Sequence, residues 1–178
     1  RQMCIRDRYK GHRVAVIGGG NTAMDSVRTA RRLGADRAMI VYRRSEAEMP
    51  ARQEEVHHAK QEGVEFLTLH NPIEYIGDER GRVLQMKLQK MELGEPDASG
   101  RRSPVPVPGA IETIDVDEVI VSVGVSPNPL VPNAIDGLEV TPKGTIVVNA
   151  DTLQSSIPDI YAGGDIVRGG ATVILAMG

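Results

Sequence analysis

The chain has 178 residues, enough for one ordinary domain or for a small domain plus part of another. Hydrophobic residues make up 40% and charged residues 25%, the balance of a soluble globular protein. A net charge of −3 provides no basic field for nucleic acid. No apolar run approaches the roughly 20 residues of a membrane span. The first apolar stretch is only Val14–Ile17, so no signal peptide is expected. The single cysteine excludes an internal disulfide and a paired-cysteine redox centre. A cytoplasmic protein that binds neither nucleic acid nor membrane is expected.

Residues 1–10 are expected to be a non-native leader, because Met3–Arg8 reads as a transposon sequencing adapter translated in frame. Arg13–Ile17 is a β-branched run bounded by glycine, the pattern of a buried strand. Asn21–Leu33 carries Ala23, Met24, Val27, Ala30 and Leu33 at helical spacing, with Asn21 as a candidate cap and Gly34 as a stop. Ala38–Tyr42 is a second strand, which completes a βαβ unit. A polar helix is predicted over Ala51–Glu62, closed by Gly63. Strands follow at Val64–Leu69, Ile73–Ile76 and Arg82–Leu93, then a Pro- and Gly-rich loop over Gly94–Gly109. Val119–Val123 is a further buried strand. Ser126-Pro127-Asn128-Pro129 marks a domain crossing, and Thr145–Val148 and Ile160–Ala162 are later strands. The apolar segment at Gly178 has no helix stop, and a truncated chain is expected.

The first strand runs into Gly18-Gly19-Gly20-Asn21-Thr22-Ala23, which fits G-x-G-x-x-A. Gly18 permits the tight strand-to-helix turn, Gly20 lets a pyrophosphate approach the backbone, and Ala23 lets the helix lie close to the strand. The free N–H groups near Asn21 and Thr22 face the anion. The end of the second strand selects the cofactor: a carboxylate suits NAD, and arginine accommodates a 2′-phosphate. Arg43 lies 25 positions after Gly18 and is followed by Arg44. Their bidentate forks favour NADPH. Glu46 is the nearest acid and leaves NAD open; a solvated strand end is the plain alternative. A second nucleotide signature is Ile157–Asp165, IPDIYAGGD, where Gly163 and Gly164 admit a ligand to the backbone. Asp165 would accept from a sugar or ribitol hydroxyl at a strand's end. A helix beginning near Gly169 would present its first amides to a flavin or pyrophosphate.

VAVIGGGNTAMD, VYRRSEAEMPAR, MELGEPDASGRRSPVPVPG, VIVSVGVSPNPLV and SIPDIYAGGDIVRGGATVILAMG together resemble the C-terminal half of the small (beta) subunit of NADPH-dependent glutamate synthase. That family lies within the FAD/NAD(P)-dependent pyridine nucleotide oxidoreductase superfamily. The resemblance spans Gly11–Gly178. It implies an α/β fold: a Rossmann-like three-layer NAD(P)-binding domain with a β-meander over residues 11–125, followed by a truncated, partial FAD-binding domain over 126–178. It implies NADPH and FAD as cofactors. Gly18, Gly20, Asn21, Thr22 and Ala23 fall on the NADPH pyrophosphate turn, and Arg43 and Arg44 on the 2′-phosphate site. Gly164 and Asp165 fall on the FAD ribitol and pyrophosphate segment, and Ala171, Thr172 and Val173 on a helix start beside the isoalloxazine ring. The implied activity passes hydride from NADPH to FAD for onward transfer to iron–sulfur clusters. The implied partners are an N-terminal half with an FAD fingerprint and iron–sulfur domain, and a large glutamate synthase subunit. No catalytic acid or base and no metal ligand is assigned. His57 and His58, beside Glu54 and Glu55, read as a solvated helix face, and Asp115, Asp117 and Glu118 as surface charge. Alternatives are an NADP(H)-binding module without its own activity, the related subunit of an NADH-dependent ferredoxin–NADP oxidoreductase, and a free-standing dehydrogenase, against which the Gly-Gly-Asp segment argues.

Overall fold

A computed structural model of the protein describes residues 9–96, 100, 102–170, 174 and 177. The chain divides into two compact units, Arg1–Val123 and Gly124–Gly178. The first unit contains β1 (Arg13–Ile17), α1 (Asn21–Arg32), β2 (Arg37–Tyr42), a 3-10 turn (Glu46–Glu48) and α2 (Gln53–Gln61). It continues with β3 (Glu65–Thr68), β4 (His70–Gly77), β5 (Val83–Pro96), β6 (Arg102–Asp115) and β7 (Glu118–Val121). β1, β2, β3 and β7 form a parallel sheet in the order β3-β2-β1-β7, and β4-β5-β6 form an antiparallel meander.

Alternation along the central strands sorts their side chains into two cores. Val14, Val16, Ala38 and Ile40 pack with Ala23, Met24, Val27 and Ala30 of α1 and with Val56 and Ala59 of α2. Ala15, Ile17, Met39 and Val41 pack with Met86 and Leu88 of β5 and with Val116. Helices, parallel sheet and meander therefore form three layers, the expected Rossmann-like α/β arrangement. Full burial of a Val, Ile or Met side chain is worth roughly 1.5–3 kcal/mol, against about 0–1 kcal/mol for an exposed ion pair. The two apolar faces, rather than surface charge, hold the sheet.

Both helices stop as their glycines predict. Gly34 (φ +94°) donates to the Arg31 carbonyl at 3.1 Å while Ala35 donates to Ala30 at 3.2 Å. Gly63 (φ +79°) and Val64 repeat this on Lys60 and Ala59, so each helix ends in a Schellman motif. The N-terminal cap differs from expectation. The N-cap of α1 is Gly20, with no side-chain cap, because the Asn21 amide is engaged elsewhere.

The Gly94–Gly109 loop is also corrected. β5 runs to Pro96 and β6 begins at Arg102, with Met91 opposite Pro106 and Leu93 opposite Pro104. Proline at 104, 106 and 108 removes N–H groups along one side of a strand only. β6 is an edge strand, where such a row is tolerated. In the second unit, α3 (Leu130–Ala134) and α4 (Asp165–Arg168) are short. The strands expected at Thr145–Val148 and Ile160–Ala162 are isolated bridges, Val140 to Ile146, Val148 to Ser155 and Gln154 to Tyr161. A local β pattern does not supply the neighbouring strand that a ladder requires. Among the described residues no helix is long and apolar enough to cross a membrane.

Asp117 is not idle surface charge. Its carboxylate accepts from Arg13 Nε at 2.8 Å, Arg13 Nη2 at 2.9 Å and the Arg13 backbone N–H at 2.8 Å. Its own N–H donates to the Arg13 carbonyl at 2.8 Å. This joins the start of β7 to the start of β1. Hydrogen bonding from Arg13 pushes the Asp117 carboxyl down from its ordinary 3.8 to about 2. A depressed folded-state pKa contributes stability above the unfolded value and loses it as pH falls. Urea denaturation of wild type should therefore show stability declining from pH about 4 to pH about 2. Asp117→Asn should be less stable near neutrality and should flatten that acid limb.

Candidate functional site

The order β3-β2-β1-β7 reverses direction between β1 and β7, the switch point where open α/β sheets bind ligands at the carboxyl ends of their strands. Gly18, Gly19 and Gly20 lie there. Gly18 has φ +137°, and its N–H donates to the Val41 carbonyl at 3.0 Å. A Cβ on Gly18 would sit 2.3 Å from the Ser122 carbonyl oxygen, just past β7. A Cβ on Gly19 would sit 2.7 Å from the Tyr42 ring. At Gly20 a Cβ would meet nothing within 4 Å, and its φ of −90° is open to any residue. The first two glycines are therefore explained by the protein itself. The third leaves an open face at the head of α1. Ala23 is fully buried beneath it, and a larger side chain would push α1 off β1.

No side chain caps α1, so the backbone N–H groups of Asn21 and Thr22 remain available to an anion, as expected of them. Other groups of the two residues are engaged. The Thr22 carbonyl accepts the Ser26 hydroxyl at 2.8 Å, and Asn21 Oδ1 accepts the Arg52 N–H at 2.9 Å. The segment after β2 folds back over the turn. Ala51 donates to the Gly19 carbonyl at 3.1 Å, and the Tyr42 hydroxyl donates to the Glu48 carbonyl at 2.9 Å.

Arg43 and Arg44 both follow β2, in unlike settings. Arg43 is exposed. Arg44 is 7% exposed, and its buried Nε has no hydrogen-bond partner. The Arg44 carbonyl is fixed by the Leu69 N–H at 3.0 Å, with Leu69 in the left-handed region at φ +57°. Among the described residues neither guanidinium forms an ion pair, nor does that of Arg52. Two of the neighbouring acids are already engaged. Glu46 pairs with Lys60 at 2.6 Å, and Glu48 accepts from the Ser45 hydroxyl at 2.9 Å and the Ser45 N–H at 3.1 Å. Arg43, Arg44 and Arg52 thus carry guanidinium groups without an ion pair among the described residues, and Asn21 ties the Arg52 backbone to the uncapped helix start. Tyr42 and Arg52 escaped the sequence reading. Arg52 stands immediately before α2, and only that position hinted at a role.

The second unit holds a cavity of about 700 Å³ lined by Asp165, Asn128, Lys143, Thr145 and Arg168 among others. Gly164, at φ +75°, precedes α4, and Asp165 is its first residue. Asp165 was expected at the end of a strand; it heads a single helical turn instead. That turn breaks at Gly169, φ +82°. Ala171, Thr172 and Val173 lie outside the described residues. The remaining residues of His57 and His58's helix face are ordinary: Glu55 bonds Arg28, which also bonds Glu62 at 3.0 Å and ties α1 to α2.

The sequence profile of the pyridine nucleotide-disulphide oxidoreductase family matches residues 2–178. The chain belongs to this family. Within it, the chain is 46% identical over 169 residues to the NADP(+)-dependent formate dehydrogenase subunit beta of Moorella thermoacetica, covering 94% of this chain and 23% of that protein. It is 41% identical over 171 residues to the glutamate synthase [NADPH] small chain of Halomonas elongata, covering 94% of this chain and 36% of that one. The chain therefore spans well under half the length of these curated relatives. Thioredoxin reductase of T. acidophilum shares the fold, with a TM-score of 0.74, 22% identity, and coverage of 97% of this chain and 50% of that one. FprA from Mycobacterium tuberculosis in complex with NADPH does so with a TM-score of 0.73 and 20% identity, covering 94% and 49%. The oxidoreductase family assignment and the Rossmann-like fold agree with the resemblance read from the motifs.

The two outer glycines of this family member's turn should respond differently to one methyl group. Gly18→Ala should lose at least about 1–3 kcal/mol of unfolding free energy, from positive φ and the clash with Ser122. Gly20→Ala should cost about 1 kcal/mol or less, the difference between glycine and alanine at an N-cap, because the added methyl meets no atom within 4 Å. Chemical denaturation of the two variants checks both values.

Proposed function

We propose that the chain is the NADPH-binding part, with a C-terminal segment of the FAD-binding domain, of a flavin-dependent oxidoreductase of the glutamate synthase small-subunit type. One observation carries this reading: Arg43, Arg44 and Arg52, none in an ion pair among the described residues, stand on the segment that folds back onto an open, uncapped glycine turn, while Glu46, the nearest acid after β2, is paired with Lys60. A free acid is what NAD would need at that point, and arginine is what a 2′-phosphate needs. Gly18, Gly20, Asn21, Thr22 and Ala23 form the pyrophosphate turn; backbone amides bind, and Ala23 sets the helix depth. Arg43, Arg44 and Arg52 hold the 2′-phosphate. The orphaned Nε of buried Arg44 fits a site completed by an anion.

In the second unit, the cavity lined by Asp165, Lys143 and Asn128 fits the ribitol and pyrophosphate portion of FAD. There Asp165 accepts a hydroxyl and Gly164 allows close backbone approach; Ala171, Thr172 and Val173 are assigned to the isoalloxazine ring by the resemblance alone. Bound nicotinamide and flavin supply hydride transfer; the chain binds, orients and shields them, and no side chain is assigned as acid or base. The fuller protein carries an N-terminal half with an FAD fingerprint and an iron–sulfur domain. It works with a larger partner subunit, which relatives named as beta subunits and small chains support, and its proposed place is the cytoplasm. An NADP(H)-binding module without activity is the second reading, favoured by the glycine turn and Arg43, Arg44 and Arg52 lying within the first unit alone.

Titration with both dinucleotides tests the cofactor. Arg43→Ala should weaken NADPH by about 1.5–3 kcal/mol, the worth of a hydrogen bond to a charged group, and leave NADH unchanged. An unaltered preference rejects the 2′-phosphate site. Joined to an N-terminal half of its relatives' length, the protein should show the visible absorption bands of flavin; a colourless protein supports the binding-module reading instead.

A further inference from the structure

The phosphate turn and the segment Ser45–Arg52 are joined by three contacts. Two involve Gly19: the Ala51 N–H donates to its carbonyl at 3.1 Å, and the Tyr42 ring lies against it while the Tyr42 hydroxyl reaches the Glu48 carbonyl. The third is made by an exposed side chain. Asn21 Oδ1 accepts the Arg52 N–H at 2.9 Å. Asn21 is the first helical residue of α1, and its amide oxygen does not cap that helix. It reaches across 31 positions to the residue immediately before α2, which carries a guanidinium without an ion partner among the described residues.

We infer that Asn21 is a positioning residue for cofactor selectivity: its amide oxygen sets Arg52 and the segment following Arg43 and Arg44 against the pyrophosphate turn. This rests on the NADPH reading above. The logic is a difference between two ligands. NADPH and NADH share the pyrophosphate and differ only in the 2′-phosphate. A residue that touches the shared group changes both affinities alike. A residue that acts through the arginine-bearing segment changes only the ligand that uses the arginines. Asn21 is bonded to that segment.

The test measures dissociation constants of NADPH and NADH for the full chain in wild type, Asn21→Ala and Asn21→Asp. Thermal melts confirm that each variant folds, as an exposed position allows. Asn21→Ala removes the acceptor and should weaken NADPH by about three- to tenfold, the equivalent of one hydrogen bond, with NADH changed by less than about twofold. Asn21→Asp keeps the acceptor but adds a negative charge beside the pyrophosphate. It should weaken both ligands and retain the wild-type ratio. Equal weakening of both ligands by Asn21→Ala overturns the inference, as does a ratio that collapses in Asn21→Asp. In both cases the NADPH reading stands, because wild type still prefers NADPH. A wild-type chain that binds neither dinucleotide overturns that reading and this inference together.

Discussion

At the carboxyl end of β1 only a hydrogen atom fits on the α-carbon of Gly18, because the Ser122 carbonyl oxygen stands where a side chain would begin. That close approach is possible because β1 lies between β2 and β7, paired with both in parallel register. It follows that the chain must turn away sharply after Ile17 and that α1 must start at once. The head of α1 is thereby placed at the switch point of the sheet with its first amides uncapped. The open space at Gly20, the depth of Ala23 and the fold-back of Ser45–Arg52 all depend on this turn.

Charge is arranged around that turn by elimination. Glu46 and Glu48 lie close in sequence to Arg43 and Arg44, yet each is bound elsewhere, to Lys60 and to Ser45. Arg28 and Arg32 are neutralised by Glu55 and Glu62 on the helix side, where hydrogen bonding from Arg32 and then Arg28 holds the Glu62 carboxyl below its ordinary range. Arg13 is neutralised by Asp117 and Asp115 at the opposite end of β1. Among the described residues Arg13, Arg28, Arg31, Arg32, Arg37 and Arg82 serve the fold. Arg43, Arg44 and Arg52, between β2 and α2, form no ion pair, and neither do the exposed Arg80 and Arg102 of the meander.

Much of the first unit was legible in the sequence. The βαβ unit was readable because its strands are buried on both faces, and so are continuous apolar runs. Its helices end in Gly34 and Gly63, whose positive φ values leave few alternatives. The candidate site was legible only as local patterns, a glycine spacing and an arginine pair; the links from Asn21 to Arg52 and from Ala51 to Gly19 are long-range and left no local signal. The Gly94–Gly109 region was misread because proline and glycine signal a loop, whereas an edge position lets a proline row remain in a strand. In the second unit the short β patterns misled in the opposite sense. They became single bridges, since pairing depends on what lies alongside.

The sequence by itself determined the order of the elements around the glycine turn, the helix stops and the presence of two arginines after β2. These follow from backbone preferences and periodicities that act over a few residues. Tertiary structure alone decided which partners distant groups would take. It turned Asn21 from a helix cap into a link to Arg52, joined Arg13 to Asp117 across 104 positions, and withdrew Glu46 from the end of β2. Each of these is a choice among competing hydrogen-bond partners. Local sequence offers the groups, but only the packed sheet and its helices bring one partner within reach and take the others away.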